Sequence, residues 1–121
     1  MSFRFLLEES QLPENFEYPQ DYLDYISKDI PEMEPWRFLW SAEAENLPSG
    51  LKKRYPERCL VPFARRIDND DVACFDASDK SSNPRVVIIH DFASPGWEKR
   101  GEANNFLDWL ELVKHDMEDW E

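Results

Sequence analysis

The chain has 121 residues, 41% of them apolar, including eight Phe, five Trp and four Tyr. One domain spanning residues 1–121 can bury roughly two-thirds of its unfolded surface without disulfide or metal staples. Twenty-six acidic against fourteen basic residues give a net charge of −12. That sign argues against nucleic acid and anionic membrane as direct partners, because both need cations to neutralise phosphates or headgroups.

The charge is uneven. Residues 1–50 hold eleven acids and three bases, and residues 51–121 hold fifteen and eleven. No apolar run approaches the ~18 residues that span a bilayer, and Met1–Glu9 lacks the long apolar stretch of a signal peptide. A cytoplasmic protein is expected, with Cys59 and Cys74 as free thiols.

In chain order, Glu8–Pro19 reads as an acidic, proline-bounded opening segment. Asp21–Ile30 reads as a short helix with Tyr22, Leu23, Ile26 and Ile30 on one face, ended by Pro31. Trp36–Trp40 is aromatic and partly alternating, so a strand is expected. Ser41 is placed to cap a helix beginning at Ala42, with Pro48-Ser49-Gly50 interrupting it before Leu51–Tyr55.

Cys59–Arg66 and Val72–Asp76 read as paired strands around Asp68-Asn69-Asp70-Asp71. A three-residue loop would set Phe63 opposite Phe75 and bury one face; this register is favoured over a two-residue loop. Pro62 lacks an N–H, which demands an edge or a bulge. Within Arg85–His90 the run Val86–Ile89 is continuously apolar and belongs inside a sheet. Asp91–Gly101 reads as a loop. The last element is the clearest: Phe106, Trp109, Leu110, Val113, Met117 and Trp120 fall at helical spacing behind an Asn105 cap. The sum is an α+β domain, a small, largely antiparallel sheet with helices at both ends of the chain.

Several chemistries fail on these residues. A calcium loop counted from Asp68 meets Val72 and Ala73 where a ligand and a glycine are required. A carboxylate pair for hydrolysis needs a desolvated member, and hairpin-tip acids are usually solvated. Cys59 or Cys74 with His90 would be the nucleophilic pair, yet both cysteines sit among apolar strand residues. No catalytic residue, cofactor or metal is therefore assigned. Lys52, Lys53, Arg54, Arg58, Arg65 and Arg66 stand against the single acid Glu57, and pairing with the nearby acidic turn is their simplest use. Three acids exceed what a turn requires. Trp97 and Trp120 are the candidates for a homodimer patch.

The segment Tyr55-Pro56-Glu57-Arg58-Cys59-Leu60-Val61-Pro62-Phe63-Ala64-Arg65-Arg66, with Asp68–Phe75 after it, resembles the central region of the SUKH superfamily. The strand Trp36–Leu39, the strand Val86–Ile89 and the helix start Phe106-Leu107-Asp108-Trp109-Leu110 are similar to that family in order and spacing. The turn lacks the glycine that many members place before its aspartate.

The resemblance implies an α+β fold and a binding protein with no catalytic residues. Members are typically immunity proteins that block a cognate toxin, often a nuclease, or regulatory adaptors for other partners. The acidic surface agrees in direction, since a basic toxin domain would be drawn to it. The residues expected to meet such a partner are Asp68, Asp70 and Asp71, with Glu14, Glu17, Asp21 and Asp24 as a second acidic face.

Overall fold

A computed structural model describes residues 5–40 and 46–120. Five antiparallel strands form one sheet in chain order: β1 (Trp36–Phe38), β2 (Leu60–Arg66), β3 (Asp71–Asp76), β4 (Val86–His90) and β5 (Lys99–Ala103). Helices α1 (Gln20–Ile26) and α3 (Phe106–Glu118) belong to one face, and α2 (Leu47–Arg54) packs on the other. The expected α+β architecture is the one observed.

Alternation along β3 divides the core. Ala73 and Phe75 enter the larger cluster, with Tyr22, Phe38, Phe63, Phe106 and Trp109. Val72 and Cys74 point the other way and join Leu51, Tyr55, Val87 and Ile89. β3 is the middle strand, and β4 is paired on both sides, as its apolar run required.

Tyr22 is the hub of the larger cluster. Its ring meets those of Tyr18, Phe38, Phe63, Phe75 and Phe106 at centroid distances of 5.2–5.9 Å. Its hydroxyl donates to the Phe5 carbonyl at 2.7 Å, so the polar tip is satisfied inside an apolar setting. Burial pushes the neighbouring Tyr18 phenol up to about 12. Trp36 crosses Trp109 edge-on at 5.4 Å and donates from Nε1 to Asp116, which ties β1 to α3.

Four local expectations are corrected. Helix α1 stops at Ile26, a turn before Ile30. There the Ser27 hydroxyl donates to the Asp24 carbonyl and Lys28 N–H reaches only to Tyr25, a tightened end. Pro48 lies in the first turn of α2 and so begins the helix rather than interrupting it, because its missing N–H is not needed there. The cap expected at Ser41 and the helix beginning at Ala42 fall outside the described residues.

The β2–β3 register is neither of the two weighed. Val61 faces Phe75 and Arg65 faces Val72, with a bulge at Phe63 and a four-residue connection, Ile67–Asp70. Pro62 sits beside that bulge and past Ala64, where the pairing with β1 ends, so a bulge and a locally open edge both accommodate it, as its missing N–H requires. The bulge still brings the Phe63 and Phe75 rings together, stacked at 4.3 Å. Finally, Lys99–Ala103 is a strand and not loop. It is polar and pairs only with β4, so it carries no alternating apolar signal.

Candidate partner-binding surface

The β2–β3 turn and the β4–β5 loop lie at the same end of the sheet, and Asp91 N–H donates to the Asp70 carbonyl at 3.0 Å. The turn folds on its own side chains. Asn69 Oδ1 accepts from Asp71 N–H at 2.8 Å, the reason Asn suits this position. Asp68 receives two hydrogen bonds from Arg66, at 2.8 and 3.1 Å, and these hold its carboxyl below the usual range.

The three expected turn acids therefore differ. Asp70 presents an exposed carboxylate. Asp68 is half-shielded by Arg66. Asp71 is buried, with His90 Nδ1 at 2.7 Å and Arg100 Nε at 3.6 Å from its Oδ1. Its position serves the sheet more than the surface.

The neighbouring loop is fastened to α2 by two arginine clamps. Asp91 is buried and accepts from Arg54 Nε and Nη2, both at 2.7 Å, and from Phe92 N–H at 2.9 Å. Glu98 is buried and accepts from Arg58 Nε at 2.7 Å and Gly96 N–H at 2.6 Å. Burial would raise the Glu98 carboxyl, but the Arg58 hydrogen bond, reinforced by backbone N–H groups, outweighs it and leaves the carboxyl lowered. Tyr55, just past α2, donates to the Ala93 carbonyl at 2.8 Å.

Of the basic run, Arg54 and Arg58 find their acids in this loop and Arg66 finds Asp68 in the turn. Between the clamps two rings face solvent: Phe92 is 71% exposed and Trp97 82% exposed. Phe92 also holds a left-handed backbone, φ 66°. The Arg54 guanidinium lies 4.3 Å from its ring centroid.

The second acidic face lies elsewhere. Glu14, Glu17 and Asp24 are exposed and Asp21 is half-buried. Glu17 and Asp21 line a cleft of about 580 Å³ with Phe16, Asp79, Lys80 and Asn83. This cleft opens beside the β3–β4 loop, at the far end of β3 from the turn. Six strand residues separate the ends by roughly 20 Å. The two acidic groups do not merge into one surface.

The rejected chemistries can be placed too. Cys59 and Cys74 are unbonded and belong to different core clusters, so they lie on opposite faces of the sheet. Burial raises the Cys74 thiol, against any nucleophilic use. The His90 ring is engaged by Asp71. His115 is exposed, 4.0 Å from Glu118. Among the described residues, no three His, Cys, Asp or Glu side chains are grouped to hold a metal ion, and no helix is long and apolar enough to cross a membrane.

The exposed Phe92 and the two clamps were not foreseen. The one available signal was the basic run itself: Arg54 and Arg58 have a single acid nearby in sequence and must find others in the fold. Comparison with family models matches residues 4–112 to the SMI1 / KNR4 family (SUKH-1). No curated protein and no solved structure matches the chain.

Proposed function

The chain belongs to the SMI1 / KNR4 family (SUKH-1), and from that premise we propose that it is a non-enzymatic immunity protein that neutralises a basic toxin domain by stoichiometric binding. The family match over nearly the whole chain carries this reading. The net charge of −12 supports it, because opposite charge accelerates encounter with a basic partner. Asp68 and Asp70 at the hairpin end, and Glu14, Glu17, Asp21 and Asp24 at the other, are the acids that supply that attraction. Asp71 contributes through the sheet, holding His90 and Arg100.

The reading predicts a toxin domain encoded immediately upstream, and co-expression with that domain is the test. The expected result is restored growth of the host and a 1:1 complex on co-purification. Continued toxicity with no complex would overturn it. A stable complex with a housekeeping protein, and none with the toxin, would make the chain a regulatory adaptor.

A further inference from the structure

We propose that the loop Asp91–Glu98 is the docking element for the partner, with the Phe92 and Trp97 rings as its anchors and a basic protein domain as its occupant. The inference rests on the reading above that the chain acts by binding a basic protein; it adds the surface and the mode of recognition.

Exposed aromatics alone are ordinary. Three observations make these different. The loop is held rigid by two buried carboxylate–arginine clamps and a Tyr55 hydrogen bond, so ordering it on binding costs little. Phe92 adopts a left-handed backbone that a bulky L-residue avoids. That strain is not repaid by burying the ring, which stays 71% exposed. The Arg54 guanidinium beside the ring offsets part of that strain, and strain kept for so small a folding benefit is characteristic of functional positions. Trp97, five residues on, is also presented outward.

Large rings on a rigid support are what protein interfaces use as energetic anchors. The surrounding charges cancel in pairs, Arg54 with Asp91 and Arg58 with Glu98. Arg65 and Asp70 line the same shallow hollow of about 300 Å³ beside Phe92. The Phe92–Trp97 centre can be desolvated without stranding either clamp's charges, with Arg65 and Asp70 left at the polar rim, as an interface requires. The occupant's sign is set at longer range, by the −12 of the whole chain and the exposed Asp70 at the rim. Steering and holding are then divided between two sets of residues.

The test is binding kinetics against an inactive form of the toxin domain that the proposed function predicts upstream, at several ionic strengths. Phe92→Ala, Phe92→Asn and Trp97→Ala are compared with Asp68→Asn/Asp70→Asn, each with its unfolding midpoint recorded. Phe92→Asn keeps a side chain suited to the left-handed backbone and guards against misfolding of the alanine variant. Each aromatic variant should dissociate at least tenfold faster, with association and its salt dependence unchanged. The acidic variant should associate more slowly, with a flatter salt dependence.

Unchanged dissociation for folded aromatic variants would overturn the inference and leave the proposed function standing. A wild-type chain that does not bind the toxin domain would overturn both. Self-association of the wild type that Trp97→Ala abolishes, with toxin binding intact, would assign the loop to a second copy and overturn the inference.

Discussion

The two ends of the sheet use the same residue types in opposite ways. At the hairpin end, the acids Asp68, Asp71, Asp91 and Glu98 are each engaged by an arginine, while Phe92 and Trp97 face solvent. At the far end Glu14, Glu17 and Asp24 face solvent, while Phe16 and Tyr18 pack against the core and contact Phe75. Charge is mostly structural at the hairpin end, where Asp70 stays exposed, and mostly a long-range field at the far end, where Asp76 and Asp79 are held by Arg85. The same inversion separates the roles of aromatics: fill in one place, display in the other.

The largest break in this contrast comes from Asp91. Asp91→Ala removes two short hydrogen bonds from Arg54 and one from Phe92 N–H. It leaves a guanidinium, 30% exposed, without its partner. Loss of one member of a buried pair costs about 3–5 kcal/mol, and the exposure of Arg54 places this case near the lower value. The thermal midpoint should fall by about 10 °C. Arg54→Ala/Asp91→Ala should lose clearly less than the two single variants added together, as contact pairs do. Additive losses would mean that the clamp is not one unit.

Glu98 sharpens the contrast through pH. Its folded carboxyl is lowered from 4.5. A lowered folded value means that its contribution is fully present above the unfolded value and is lost as pH falls through the folded one. Stability should therefore decline from about pH 4.5 downward. Glu98→Gln should lose about 2 kcal/mol at pH 7 and show a shallower acid decline than wild type. Urea midpoints at pH 7, 4 and 3 measure both. Asp68 and Asp79 are also lowered, by Arg66 and by the Arg85 and Ser81 N–H groups respectively, so part of the acid decline remains in the variant.

Phe92 allows strain to be separated from display. Phe92→Gly and Phe92→Ala both remove the ring and its contact with Arg54, so they differ only in backbone preference. Glycine ordinarily costs about 0.5–1 kcal/mol relative to alanine inside regular structure. At a φ of 66° the order should invert, with the glycine variant more stable by about 1 kcal/mol. Urea unfolding of the pair decides it; an alanine variant at least as stable would mean that Phe92 carries no backbone strain. Both should dissociate from the partner equally fast if the ring is the anchor.

How much of this was legible in sequence depends on where each signal lives. The α3 helix was readable because Phe106, Trp109 and Val113 repeat at helical spacing behind an Asn105 that does accept from Asp108 N–H. The buried strand β4 was readable from its unbroken apolar run. Strand β5 was not, because an outer strand of Lys, Arg, Gly and Glu has no periodicity to show. The β2–β3 register is off by one residue between the turn and Phe63 and by two beyond it, because a bulge there adds a step that alternation alone does not show. At the candidate surface, the turn acids were visible as composition, but burial of Asp71 was not: it depends on His90 and Arg100, 19 and 29 positions away. The clamps Arg54–Asp91 and Arg58–Glu98 span 37 and 40 positions, beyond any local pattern. Exposure of Trp97 is likewise a property of the loop that those clamps hold.

The smallest effect on the fold is expected at the acidic far end, and that smallness is informative. Glu14→Gln/Glu17→Gln/Asp24→Asn changes three exposed side chains. Asp24 accepts from Gln20 at the surface, a contact that its amide can still accept. Asp21 is left in place because an acid in the first turn of α1 favours the helix dipole. Stability should move by no more than about 0.5 kcal/mol, upward if relief of like-charge repulsion dominates. Association with a basic partner should nevertheless slow at low salt and converge on wild type as salt is raised, since screening removes exposed charges first. Dissociation should not change, because Glu17 lines the cleft beside the β3–β4 loop, at the opposite end of β3 from the loop that holds the partner. Faster dissociation in this variant would place the far end in the interface itself and dissolve the division between steering and holding.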